Sequence, residues 1–414
     1  MEKLKKIATI NQKAFELSSG IKLLGNLSWP VEAEQEFLKS YKKGRVKLPK
    51  VEYKKVDYGD QRQALSKLLK SFTANDPIEK FTKKSINSYM DAIDLNHSIG
   101  SKSFTENSKK IFGAPGDLLP GSKSNIIESA QQLVDLAADF TPSFIKEPEV
   151  NIDAQDIKNY MERRVEGAFH GAGPEIIISD ELTAKATATA RTIRLRGGAH
   201  FTHYDFKQLF YHEVMTHSLT ALNGEQQTIL KCLGRSSLRT LKTQEGLATF
   251  SEVITGAMDI QRLKRLALRI LATDIALNGA SFLDVFEFFL SKGQSQKESY
   301  TATYRIFRGG FPDKDIIFTK DCIYLEGLIN VHTLFRWAMK HNKLEVCHLL
   351  FCGKISISDV FELEEAYNYQ WIAPPKYLPG WFMKIEGLAG ILSFSLLANL
   401  VRIDVADETF YKAS

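Results

Sequence analysis

Apolar residues recur three and four positions apart through nearly the whole chain, so most of it can fold only as amphipathic helices packed on one another. Before residue 140 this spacing runs through VEAEQEFLKSY (31–41), QRQALSKLLKSF (61–72) and IEKFTKKSINSYMDAIDL (78–95), and nothing there reads as a convincing strand. After residue 240 it returns at 243–256, 260–277, 281–293, 297–310 and 324–340. Only between residues 149 and 201 does the texture change. There a helix near 153–169 is followed by EIIISD (175–180) and ARTIRLRGGAHF (190–201), in which Ile193 and Leu195 alternate with Arg194 and Arg196 as in a strand. The expected class is α+β, mostly α, with a small sheet just ahead of a helix over 205–224 that stops at the Asn223-Gly224 turn. The apolar run Gly387–Val401 is too short to span a membrane and is expected to be a buried core helix.

Charge is unevenly spread over the 414 residues: 54 Lys and Arg face 49 Asp and Glu, and residues 1–60 alone hold thirteen basic against eight acidic side chains. The densest piece, YKKGRVKLPKVEYKK (41–55), suits an acidic partner or is simply a solvated face. Without interleaved stacking aromatics it gives no expectation of nucleic-acid binding. Cys232, Cys322, Cys347 and Cys352 form no CxxC pair, a pattern that suits a reducing compartment. The basic N-terminus lacks the apolar run and cleavage site of a classical signal peptide, so a cytoplasmic location is expected.

The helix over 205–224 carries His212-Glu213-Val214-Met215-Thr216-His217. It is one residue longer than the H-E-x-x-H string in which two imidazoles on one helix face hold zinc and the glutamate acts as base. At ~100° per residue, five positions turn the second imidazole ~140° from the first, whereas four leave them only ~40° apart. A one-residue π-bulge between His212 and His217 would restore convergence; the competing reading is a pair of partly buried histidines. A third ligand is expected from a carboxylate on a following helix, and Glu245 stands in what reads as the first turn of TQEGLATFSE. Two histidines and a carboxylate also suit non-haem iron.

Several strings together, His212 to His217, Asn223-Gly224, Gln227 and Gln244-Glu245-Gly246-Leu247-Ala248, resemble the QEGLA-motif family of zinc metallopeptidases. Its vertebrate members are the microtubule-associated tyrosine carboxypeptidases, which remove the C-terminal tyrosine of α-tubulin. The resemblance extends to Arg194-Leu195-Arg196, Phe307-Arg308-Gly309-Gly310, Phe318-Thr319-Lys320-Asp321 and Tyr324-Leu325-Glu326-Gly327, over about residues 20–400. It implies a zincin-like core with one Zn²⁺ per chain bound by His212, His217 and Glu245, and Glu213 as general base toward a zinc-activated water. A substrate with a free C-terminus also needs a fixed cation, for which Arg308, Lys320, Arg194 and Arg196 are candidates, with Tyr324 as an oxyanion donor. The expected organisation is a helical, basic lobe over 1–145 and a metallopeptidase region over 146–414. The expected partner is a protein or peptide substrate, for which an acidic tail would suit the basic lobe. The alternative is a non-catalytic, zinc-containing regulatory protein acting through an acidic partner.

Overall fold

The computed structural model describes residues 2–22, 24–72, 76–139, 150–182 and 184–398. The N-terminal part is helical: α1 (Glu2–Ser18), α2 (Val31–Lys42), α3 (Gly59–Leu69), α4 (Pro77–His97), α5 (Lys102–Phe112) and α6 (Ile126–Asp139). Helix α4 begins where sequence rules place it, since Asp76 accepts from the backbone N–H of Ile78 and Glu79 and Pro77 occupies the first turn. Between α2 and α3, residues 45–58 carry no helix or strand. This strap is hooked by Tyr53, whose hydroxyl accepts from Trp29 Nε1 (2.6 Å) and the Gly309 N–H (2.8 Å) and donates to the Gly310 carbonyl (2.8 Å). Its Arg45, Lys47, Lys50, Lys54 and Lys55 are exposed.

Helix α7 (Ala154–Phe169) leads into a mixed sheet of β1 (Glu175–Ser179), β2 (Ala186–Ala188) and β3 (Thr192–Arg196). β3 is central, parallel to β1 with Glu175 opposite Thr192, and antiparallel to β2 with Ala186 opposite Leu195. The sequence pattern gives β1 and β3; β2, a three-residue strand of small side chains, carries no alternation long enough to reveal it. The architecture is α+β and mostly α.

Next come α8 (His203–Leu209), a π-helical segment (Phe210–Ser218) and α9 (Leu219–Glu225), which run on as one rod. The rod ends at Glu225, one residue past the expected Asn223-Gly224 stop, and that pair forms its last turn and not a loop. Both residues are buried within α9: a Cβ on Gly224 would overlap the backbone of Leu233, and Asn223 is spent on the Phe351 and Tyr377 backbone. The chain continues through α10 (Leu238–Ile254), α11 (Ile260–Leu277), α12 (Phe282–Ser291), α13 (Gln296–Phe307), α14 (Cys322–Lys340), α15 (Ile357–Glu362), α16 (Glu364–Asn368), α17 (Gly380–Met383) and α18 (Ile385–Ala398). Helices α10 and α14 cross at two glycines, where a Cβ on Gly246 would overlap the Gly327 backbone and one on Gly327 the Lys242 carbonyl.

Two apolar cores form, and each mixes side chains from either side of residue 145. One gathers Phe81, Tyr89, Phe104 and Phe112 with Phe169, Phe250 and Phe335. The other sets Trp29 and Phe37 against Phe282, Phe286, Tyr300 and Tyr304, with Phe37 edge-on to Phe286 at 4.9 Å between ring centres. The apolar C-terminal run departs from its expected burial. Among the described side chains of α18 only Leu388 and Leu392, one i,i+4 stripe, are buried, while Ile391, Phe394 and Leu397 are 54%, 71% and 62% exposed. Residues 399–401 of that run lie outside the described residues. No helix among the described residues is long and apolar enough to cross a membrane.

Candidate active site

The π-helical segment supplies the extra residue that the histidine spacing requires. Thr216 Oγ1 donates to the Tyr211 carbonyl five residues back (2.9 Å), and the Leu219 N–H reaches the Val214 carbonyl, also five back. With one residue absorbed, the His212 and His217 rings lie 4.8 Å apart between centres. Their Nε2 atoms stand 3.4 and 3.7 Å from the same Glu245 oxygen, Oε2. All three ligand atoms lie within 4.8 Å of one another. Glu245 itself is not in a first turn. Helix α10 begins at Leu238, so the carboxylate sits on its third turn and is held by packing at the Gly246–Gly327 crossing, not by the helix dipole.

This donor set fits a divalent ion. Two imidazole nitrogens and a carboxylate converge on one point, and His212 Nδ1 bonds the fully buried Glu252 Oε1 at 2.6 Å, which turns its other nitrogen toward that point. Electrostatics favour a cation in the same place. Burial opposes an imidazolium, but the hydrogen bonds to Glu245 and Glu252 outweigh it and push His212 up to about 10. Burial likewise opposes the Glu245 carboxylate, yet Lys320 and the two histidines hold it well below the usual range.

Glu252 is a site residue that sequence reasoning missed. Its signal was its position seven residues after Glu245, two turns along the same helix face. Arg262 on α11 grips it through Nε to Oε2 and Nη2 to Oε1 (2.7 Å), and Gln208 Nε2 adds a bond at 3.2 Å. The Asp259 carboxylate caps α11 at the Arg262 N–H, which fixes where that arginine enters.

On the other side of Glu245, Lys320 Nζ donates to Oε1 (3.0 Å) and to the Tyr324 hydroxyl (3.0 Å). Arg305 Nη2 also donates to Tyr324 Oη (3.3 Å) while its guanidinium pairs with both oxygens of Asp321. Tyr324 Oη therefore accepts twice, and its own proton remains to give. Arg269 reaches Asp321 only at 3.8 Å, beyond hydrogen-bond range, and burial together with neighbouring Arg305 pushes its guanidinium down to about 10. Arg305 and Arg269 were not legible as site residues.

Glu213 is half-buried, and among the described residues no hydrogen bond or ion pair engages it; its charge acts on His212 and Lys354. Arg308, at the extended C-cap of α13, lies against the Phe318 ring (5.1 Å) and contributes charge at Lys320. Arg194 and Arg196 stand on β3, beside the π-helical segment, with Arg194 exposed. The structure thus brings His212, His217, Glu245, Lys320 and Tyr324 into one continuous chain of contacts. Glu213 and Arg308 are electrostatic neighbours of it, and Arg194 and Arg196 are carried on the adjacent sheet.

The remaining shared strings serve the scaffold. Gln227 binds the Cys352 and Ala373 backbone, and Gly309 adopts φ +87° where a Cβ would overlap the Phe104 ring. Among individually curated proteins, none matches the chain. A family model described as microtubule-associated tyrosine carboxypeptidase matches residues 35–400, so that, with the motif residues gathered on one site, the chain belongs to that family.

Proposed function

We propose that the protein is a zinc-dependent carboxypeptidase with a zincin-like core that removes a C-terminal residue, tyrosine or similar, from a protein or peptide. Family membership supports a carboxypeptidase-type enzyme acting on a protein substrate such as tubulin. The observation that carries the metal reading is the convergence of His212 Nε2, His217 Nε2 and the Glu245 carboxylate beside an uncommitted Glu213. These three residues would hold the ion. When bound, zinc supplies a Lewis acid that acidifies water and polarises a carbonyl.

Glu213 takes a proton from the attacking water and passes it to the leaving amine. Tyr324, held by Lys320 and Arg305, directs its free O–H at the oxyanion. Among the described residues Arg262 pairs with Glu252, Arg305 with Asp321 and Lys320 with Glu245, which leaves Arg269 and Arg308 with no carboxylate in hydrogen-bond contact, positive charge that suits an anionic substrate end. Lys320, Arg308, Arg194 and Arg196 remain candidates for the terminal carboxylate. Arg269 joins them, because it meets Asp321 only at 3.8 Å and among the described residues its guanidinium makes no hydrogen bond. The exposed basic strap, hooked beside Arg308 through Gly309 and Gly310, suits an acidic stretch upstream of the scissile bond. Four free, buried cysteines accord with the cytoplasm. An uncommitted Glu213 favours catalysis over a purely structural metal.

The test is metal content measured beside release of C-terminal residues from peptides. Glu213→Gln is expected to keep zinc and lose release by about 10²–10⁴-fold, and Glu245→Ala to lose both. A wild-type protein that binds no zinc would sink the proposal.

A further inference from the structure

Lys354 belongs to none of the motifs, yet the residue is only 5% exposed and its ammonium lies against the candidate metal site. Nζ donates to the His217 carbonyl (2.8 Å), to Thr220 Oγ1 (3.0 Å) and to Gln244 Oε1 (2.8 Å). Three acceptors use all three protons of an ammonium. Their identities matter: His217 is a ligand residue in the π-helical segment, and Gln244 directly precedes the ligand Glu245 on α10. Thr220 joins the same cluster, donating to the Thr216 carbonyl (2.6 Å) and lying 2.9 Å from Gln244 Oε1. The Lys354 backbone is itself fixed by a bond from its N–H to the Leu233 carbonyl (2.6 Å).

We propose that Lys354 is a positioning residue, whose ammonium ties the peptide group of His217 to the side chain beside Glu245 and so holds the π-helical turn in the register that presents both ligands to one ion. The proposal rests on the metal reading above. π turns are rare and frequently occur at functional sites, and relaxation by one residue to ordinary α geometry would swing the His217 ring by ~100°. Burial opposes a charge on Lys354 and pushes its pKa down to about 7, and among the described residues no carboxylate hydrogen-bonds it, so it costs stability and what it gives here is geometry. Gln244 acquires a role by the same contact, as the acceptor through which α10 is registered against the π segment.

The test uses two variants of the full chain. Lys354→Met keeps the apolar stem and removes the ammonium; Thr220→Val keeps the ammonium and removes one anchor. Zinc affinity is read by competition with a chromogenic chelator, and ligand geometry by the visible absorption of the Co²⁺-loaded protein. Lys354→Met is expected to weaken zinc binding by about 10–100-fold, as loss of a ligand-orienting group does, and to alter the Co²⁺ bands. Thr220→Val is expected to weaken it by about 3-fold or more, and it carries the test if Lys354→Met fails to fold. A merely structural lysine would lower the melting temperature of the metal-free protein and leave affinity and spectrum as in wild type. That result in both variants overturns the proposal while the metal reading stands; a wild-type protein without zinc affinity removes both.

Discussion

Glu252→Gln is a change of one atom type whose cost can be worked from the contacts. The carboxylate accepts from His212 Nδ1, Gln208 Nε2 and Arg262 Nη2 at Oε1, and from Arg262 Nε at Oε2. An amide offers one accepting oxygen, and its NH₂ must then face a donor. If the oxygen stays with His212, it keeps Arg262 Nη2 as well, but the NH₂ opposes Arg262 Nε and the guanidinium loses its counter-charge. Breaking a buried pair costs roughly 3–5 kcal/mol, and the Arg262 side chain keeps 21% exposure, which points to the low end, about 3 kcal/mol. If the oxygen turns to Arg262, the NH₂ opposes His212 Nδ1–H, the ring is no longer aimed, and zinc affinity falls about 10–100-fold. Either way, urea unfolding of the metal-free protein and chelator competition read the two losses separately. A variant within 1 kcal/mol of wild type that also binds zinc within about twofold would refute the reasoning, because the four donors would then not depend on a carboxylate.

Two further outcomes follow from the cation cluster. Arg269→Gln should raise KM for peptides with a free C-terminus by about 10–100-fold, the worth of a charge-assisted hydrogen bond, with kcat little changed and cleavage of C-terminally amidated analogues unaffected; equal KM values would remove Arg269 from the carboxylate site. Burial opposes the Asp321 carboxylate, but Arg305 and then Arg269 hold its pKa well below the usual range. Its stabilising contribution is therefore complete above about pH 4, the unfolded value, and is lost as pH falls through the folded one. Asp321→Asn should be less stable than wild type at pH 7 and show a flatter decline between pH 4 and 2 in denaturant titrations.

The candidate ligand set was legible because its pattern is local: His212, Glu213 and His217 lie within two turns, and angle arithmetic alone pointed to the π turn that the structure has. Glu245 was legible by type but misplaced along its helix, since Leu238 and Leu241 among Ser, Arg, Thr and Lys give little apolar signal for the first two turns of α10. Glu252, Arg262, Arg269, Arg305 and Lys354 were invisible for a different reason. Each lies on a helix or, for Lys354, in a loop where a charged residue is normally solvated, and only a partner 10 to 137 positions away reveals that it is buried. The C-terminal run shows the converse, for α18 has the composition of a core helix while Ile391, Phe394 and Leu397 stand exposed. Hydrophobicity can be read from the letters, but not what covers it.

The interleaving of the two cores also sets a timetable for biosynthesis. Phe37 packs on Phe286, and Tyr53 hydrogen-bonds the Gly309–Gly310 backbone, so the first helices leave the ribosome well before their partners exist. At translation rates of about 5–20 residues per second, the wait from Phe37 to Phe286 is roughly 12–50 s. During that interval Trp29, Phe37 and the α2 face are exposed, and a nascent chain ending before residue 286 cannot bury them. Premature termination before residue 286 should therefore yield a chaperone client or an aggregate, not a truncated domain, and any ion held at the candidate site can be acquired only once synthesis has passed Glu245.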